Sequence, residues 1–292
     1  MEIILAKNIG FCFGVKRAIG ITLKALRENP GVPIYMLGPL IHNPPVIKEL
    51  ENKGVNVVYS PAKVNKGILI VPSHGLALSV IKVLNKKGVR LLDATCPNVL
   101  MSQKLASSLA ADGYRVIVFG QKFHPEIKGI MGRIGRAAKL VSSLDDIKRI
   151  PRFKKLGVIA QTTESLTRFR DVVADLVEKG FETKVYNTLC AHTRRRQEEA
   201  AKIAGNVDVM IVAGGHNSAN TSRLYELCRK IVPACHVESA EDLDSVMRRK
   251  KIFSAKARVG IVSGTSTPDS SIKDIVKRLK ASRKNRGVSG NG

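Results

Sequence analysis

The sequence predicts an α/β protein with mainly parallel sheets, and three observations lead there. Short runs of β-branched and aliphatic residues recur along the chain, each run ends in small or polar residues, and helical apolar spacing follows. A length of 292 residues leaves room for about two domains or three small modules. Hydrophobic and charged contents of 44% and 25% are those of an ordinary globular chain.

In chain order, residues 67–72, 115–119, 156–160, 207–213 and 258–263 read as buried strands. The turns that close them are Ser73-His74-Gly75, Gly120-Gln121, Gln161-Thr162-Thr163, Gly214 to Ser218, and Ser263-Gly264-Thr265-Ser266. Ligands of open α/β sheets bind beyond the carboxyl ends of strands, so this recurrence points to a site assembled from several modules. After Asn220, the residues Leu224, Leu227, Cys228 and Ile231 fall at helical spacing, and Ile272, Ile275, Val276 and Leu279 repeat it after Pro268. Ser266-Thr267-Pro268-Asp269 reads as a helix start with a hydroxyl cap, a proline in the first turn and an acid. The open N–H groups there and at Ser218-Ala219-Asn220 suit a phosphate.

Module boundaries are expected near the cysteines: residues 1–96, 97–190 and 191–279, with the C-terminal part able to pack back on the first module. Residues 280–292 are basic, aperiodic and rich in Gly and Ser, and are expected to be disordered. Self-similarity between modules does not go beyond the strand-then-polar-turn theme.

Composition excludes several classes. No apolar run approaches the ~20 residues of a spanning helix, so no membrane segment is expected. Ile3-Ile4-Leu5 is too short for a secretory signal, so a cytoplasmic protein is expected. Five cysteines are an odd number and too few for a disulfide scaffold. An aromatic content of 4% without Trp argues against a surface that stacks bases. The net charge of +25 is spread over Lys148-Arg149, Lys154-Lys155, Arg194-Arg195-Arg196, residues 248–251 and the tail. It reads first as a solvated basic surface, and second as a field for nucleic acid or an acidic partner.

Cys12, Cys96 and Cys190 sit in turn-like surroundings, 84 and 94 residues apart, a spacing that suits one ligand from each of three modules on a shared metal centre. Three thiolates on a cluster that needs four ligands would leave one iron open. Each could equally be an inert thiol. Cys228 and Cys235 lie in apolar runs and read as core. Structural zinc draws on closely spaced pairs such as C-x₂-C, and none is present. His42, His74 and His124 fall in turns; with nearby Ser, Thr and Asn they suggest a phosphorylated ligand, because imidazole can donate to a phosphate oxygen. His236 reads as structural. Glu126, following a strand and His124, is the acid placed to hold and deliver a proton if its pocket is partly desolvated, although a surface acid is the simpler reading. Neither a dinucleotide G-x-G-x-x-G nor a P-loop occurs, so electrons for any reduction would come from a protein.

Ten ordered motifs carry a resemblance. They are Gly10-Phe-Cys12-Phe-Gly-Val-Lys-Arg-Ala18, His42-Asn43, Ser73-His74-Gly75, Asp93-Ala-Thr-Cys96-Pro97, His124-Pro-Glu126-Ile-Lys-Gly129, Gln161-Thr162-Thr163, Asn187-Thr-Leu-Cys190, Arg196-Gln197, Gly214 to Thr221, and Ser263 to Pro268. Over residues 1–280 the chain resembles the LytB-type 4-hydroxy-3-methylbut-2-enyl diphosphate reductases. The resemblance implies a trefoil of three α/β modules around a central [4Fe–4S] cluster held by Cys12, Cys96 and Cys190. The reaction implied is reductive removal of the allylic hydroxyl from an allylic diphosphate, giving isopentenyl and dimethylallyl diphosphates, with ferredoxin or flavodoxin as electron donor. By the same resemblance Glu126 and His124 serve proton transfer, Thr162 positions the hydroxyl, and His42, His74, His124, Ser218, Asn220 and Ser266 hold the diphosphate. Ala219 replaces a serine found in many members, which removes one hydroxyl but leaves a backbone N–H. Two alternatives stand beside this reading: another three-cysteine trefoil such as a quinolinate-synthase-like dehydratase, and a basic iron–sulfur protein that binds nucleic acid.

Overall fold

The computed structural model describes residues 1–249, 254 and 256–287. Twelve strands and eleven α-helices are found among them. In order they are β1 (Glu2–Leu5), α1 (Phe13–Glu28), β2 (Ile34–Leu37), α2 (Pro44–Asn52), β3 (Val55–Val58), β4 (Ile68–Val71), α3 (Leu78–Lys86), β5 (Arg90–Asp93), α4 (Pro97–Ala111), β6 (Arg115–Phe119), α5 (Pro125–Ile134), β7 (Ala138–Val141), α6 (Leu144–Lys148) and β8 (Phe153–Ala160). There follow α7 (Leu166–Val177), β9 (Gly180–Val185), α8 (Ala191–Ala204), β10 (Val209–Ala213), α9 (Ala219–Arg229), β11 (Ala234–Val237), α10 (Ala240–Arg249), β12 (Arg258–Ser263) and α11 (Asp269–Gly287).

Three four-stranded sheets result, with orders β3-β2-β4-β5, β7-β6-β8-β9 and β11-β10-β12-β1, and every pairing is parallel. The three orders are one motif. In each, the first strand in the module lies between the second and the third, and a fourth strand flanks the third. The last module takes its fourth strand from the start of the chain: Glu2 to Leu5 pair with Arg258 to Ile261. This repeat is invisible in the residues because it is kept by backbone pairing and crossover handedness, which many apolar sequences satisfy.

The central strands are buried along their length, β4 and β10 completely, as expected where helices cover both faces of a parallel sheet. Phe119, Ile117, Leu156, Val158 and Phe169 form one core on the sheet of β6 to β9, with Phe119 and Phe169 stacked 6.4 Å apart. Phe119→Ala would cost about 3–5 kcal/mol there. On the sheet of β10 to β12, Val209, Ile211, Val259 and Ile261 face one core, and Met210, Val212 and Val262 face the other. That is the period-two alternation of strands clad on two sides.

The structure forms two compact units. One comprises Met1–Cys12, His42–Val46 and the chain from Ala191 onward; the other comprises Phe13–Ile41 and Ile47–Cys190. The five expected strands are all present, whereas short edge strands such as β5 and β9, with polar residues, carried no readable run. The expected disorder from residue 280 is corrected in part. Helix α11 continues to Gly287, and residues 288–292 lie outside the described residues. Absence of apolar periodicity shows that a segment lacks a buried face; Lys, Ala, Ser and Arg still tolerate helix, and cations suit its C-terminal end. No helix among the described residues is long and apolar enough to cross a membrane.

Candidate active site

The three cysteines occupy equivalent places in the repeat. Each follows the fourth strand of its module and stands immediately before a helix: Cys12 before α1, Cys96 before α4 and Cys190 before α8. Each backbone N–H donates to a carbonyl just beyond the third strand: Cys12 to Thr265 at 3.0 Å, Cys96 to Ser73 at 2.8 Å, and Cys190 to Thr162 at 2.8 Å. A helix N-terminus favours thiolate, the form that ligates metal. None of the three is in a disulfide, and all are half-buried. Asn98 Nδ2 donates to Cys190 Sγ at 3.2 Å. Cys228 behaves oppositely. Burial pushes its thiol up to about 12, so it stays protonated in the core, and Cys235 is likewise buried. Among the described residues no group of three or more His, Cys, Asp or Glu is gathered for a metal ion. The donor set, three thiols at helix starts, fits an iron–sulfur cluster.

In the unit containing Cys96 and Cys190, Glu126 sits in the first turn of α5 and is 2% exposed. Its two oxygens accept from Thr162, Oε1 from the backbone N–H at 2.8 Å and Oε2 from the hydroxyl at 2.9 Å. Burial raises its carboxyl to about 7, against the lowering effect of both Thr162 bonds, and the neighbouring Glu164 adds to the rise. Near neutral pH the group can therefore carry and release a proton. His124 caps α5, its Nδ1 accepting from the Glu126 N–H at 3.2 Å. That bond leaves Nε2 as the protonated nitrogen of the neutral ring. His74 is buried in the turn after β4.

In the other unit, Ser218 caps α9 by accepting from the Thr221 N–H at 3.4 Å. Asn220 is 2% exposed, and its amide has no hydrogen-bond partner at either end. A buried amide left so is costly, and a bound polar group would satisfy it. Ser266 Oγ donates to the His42 carbonyl at 3.2 Å, which brings those two loops together. Burial holds the His42 imidazole below its ordinary value, hence neutral and able to donate from one nitrogen. Gly214, with φ of 141°, turns the chain directly after β10, where a Cβ would meet Thr267 Oγ1 and Thr221 Oγ1. His236 is structural, with Nε2 at 2.8 Å from the Gly214 carbonyl.

The sequence singles out Arg196 only within the Arg196-Gln197 motif and among the spread basic charge, and assigns it no role. Its guanidinium is buried and donates to the carbonyls of Ser263 (2.9 Å), Gly264 (3.0 Å) and Gly10 (2.6 Å). The Gly10 N–H in turn donates to Ser263 Oγ at 3.0 Å, so Arg196 fastens the Cys12 loop to the end of β12. The signal was present in Thr193, Arg196, Gln197, Ala200 and Ala204, the buried stripe of α8, whose polar members hid its helical spacing.

Residues 3–280 match the family of the LytB protein. The chain belongs to the LytB family. Among its LytB relatives, the 4-hydroxy-3-methylbut-2-enyl diphosphate reductase of Geobacter sp. (strain M21) is 41% identical over 288 residues, which is 98% of this chain and 99% of the relative. The enzyme of that name from Geobacter sulfurreducens is 40% identical over 281 residues, covering 96% and 97%. A solved structure of (E)-4-hydroxy-3-methyl-but-2-enyl diphosphate reductase, described as the terminal enzyme of the non-mevalonate pathway, superposes with a TM-score of 0.70. It is 38% identical and is covered completely by 96% of this chain. The E-1-hydroxy-2-methyl-but-2-enyl-4-diphosphate reductase of Plasmodium falciparum gives 0.87 at 28% identity, over 94% of this chain and 87% of that one. The three parallel α/β modules expected from the sequence are those of the LytB structures.

Proposed function

We propose that the chain catalyses reductive dehydroxylation of (E)-4-hydroxy-3-methylbut-2-enyl diphosphate to isopentenyl and dimethylallyl diphosphates, consuming two electrons and two protons and releasing water. The observation that carries this reading is the Glu126–Thr162 pair: a buried carboxyl near neutrality, held by a hydroxyl and an N–H, in a family whose relatives bear that enzyme name. Neither the quinolinate-synthase-like nor the nucleic-acid alternative finds support in the relatives.

Cys12, Cys96 and Cys190 would hold one [4Fe–4S] cluster, and Asn98 would donate to the sulfur of Cys190. When bound, that cluster supplies electrons and an iron without a protein ligand. Thr162 orients the allylic hydroxyl and passes it the proton held by Glu126, converting a poor leaving group into water. His124, its Nδ1 occupied, offers Nε2–H to the diphosphate. Ser218, Asn220, Ser266, His42 and His74 complete the recognition of the diphosphate, with Asn220 gaining the partner its amide lacks. Ala219 contributes a backbone N–H only. An acidic ferredoxin or flavodoxin as electron donor agrees with the net charge of +25.

Anaerobic reconstitution tests the proposal. The loaded protein should bind about four iron and four sulfide per chain, the content of the proposed cluster, and convert the substrate with a strong one-electron reductant. A folded, iron-loaded sample that yields neither product would refute it.

A further inference from the structure

We propose that Asn98 is a positioning residue that raises the reduction potential of the cluster, through its hydrogen bond to Cys190. The inference rests on the reading that the three cysteines hold a cluster, and it gives a role to a residue outside the ligand set. Asn98 stands in the first turn of α4, two residues after Cys96, and its Nδ2 reaches the sulfur of a cysteine 92 residues further along the chain, at 3.2 Å. Related contacts recur after the other cysteines. Arg17 of α1 donates to the carbonyls of Asp93 at 3.2 Å and Thr95 at 3.1 Å, which lead into Cys96, and Arg196 of α8 bonds the Gly10 carbonyl ahead of Cys12. Those two side chains hold backbone, whereas Asn98 reaches a ligating sulfur.

Both ends of the Asn98–Cys190 bond stand on fastened backbone. On the α4 side, the Cys96 N–H donates to the Ser73 carbonyl at 2.8 Å, the Leu100 N–H to the Cys96 carbonyl at 3.0 Å, and the Ser102 hydroxyl to the Asn98 carbonyl at 3.0 Å. On the other side, the Cys190 N–H donates to the Thr162 carbonyl at 2.8 Å. The buried Thr188 hydroxyl accepts from the Ala160 N–H at 2.8 Å and donates to the Ala160 carbonyl at 2.6 Å. A donor held in this way keeps its aim when charge develops in front of it. Reduction adds one negative charge to an iron–sulfur cluster, and an N–H directed at one of its ligating sulfurs stabilises the reduced form over the oxidised one. At the worth of one hydrogen bond to a charged group, this favours the reduced form about tenfold, which is about 59 mV for a one-electron couple. A given electron donor then fills the cluster more completely.

Redox titration of the reconstituted full-length protein, followed by the cluster's absorbance and by the spin-resonance signal of its reduced form, tests the role. Leucine and aspartate both keep about the shape of asparagine; the first removes the donor and the second puts a negative charge in its place. The potential should fall by about 59 mV in Asn98→Leu, a tenfold loss of the reduced form, and further in Asn98→Asp. Iron and sulfide content of Asn98→Leu should match the parent. Asn98 is exposed on α4, so both variants should fold. Equal potentials in the parent and Asn98→Leu would overturn the proposal. So would an equal fall in both variants, because a merely structural disturbance does not sense the added charge. Loss of iron from Asn98→Leu would also overturn it, since Asn98 would then serve cluster assembly. A parent that binds no iron and sulfide would instead refute the underlying cluster reading, and this proposal with it.

Discussion

Replacing Glu126 by glutamine separates the proton it carries from the space it fills. The amide keeps both contacts, accepting from the Thr162 N–H and donating to the Thr162 hydroxyl, which can rotate to accept. In the unfolded chain Glu126 ionises around 4.5, and in the folded chain around 7. Between those values the native state binds the extra proton, so stability falls as pH rises through the window and levels off above it. The separation is worth about 3 kcal/mol in full, of which about 2.5 kcal/mol is expressed between about pH 5 and about pH 8. Urea unfolding of the metal-free full-length protein and of Glu126→Gln across this range should show the parent losing that amount relative to the variant. Turnover of the reconstituted variant should fall by ~10²-fold or more with substrate affinity little changed. Stability curves that stay parallel to within about 0.5 kcal/mol would refute the assigned burial of the charge. Undiminished turnover would remove Glu126 as proton source.

Further outcomes are expected elsewhere. Thr162→Val deletes the hydroxyl bond that lowers the Glu126 carboxyl, a bond worth about 1.5–3 kcal/mol, so the alkaline limb of the kcat profile should move up by about one pH unit or more while kcat drops. Arg196→Met should destabilise the fold by about 3 kcal/mol, read by urea unfolding, and speed alkylation of Cys12, because Gly10 loses its anchor. Serine at Cys12, Cys96 or Cys190 should abolish stable cluster assembly, measured by iron and sulfide content, whereas Cys228→Ala should leave it intact at a stability cost of about 1 kcal/mol. Asn220→Ala should weaken diphosphate binding about tenfold, measured by titration calorimetry, with the fold retained.

The residues themselves announced the α/β class and five of the strands, and put forward the three cysteines and Glu126 as candidates. Continuous apolar runs closed by polar turns have one economical arrangement, a covered parallel sheet with its chemistry at the strand ends, and that physics is local enough to read from spacing. Whether Glu126 is a surface acid or a buried one was not local. It depended on α5 and the Thr162 turn meeting across separate strands, and only then did desolvation set the proton affinity. The burial of Arg196 likewise required β12 and the Gly10 loop to supply carbonyls from 67 and 186 residues away. The shared strand order, and the recruitment of β1 into the last sheet, are backbone properties that leave no residue signature. Sequence alone thus determined which residue types were available and at which turns. Tertiary structure decided which of them lost their water, and that loss sets the proton affinity of a carboxyl and the need of a guanidinium or an amide for partners.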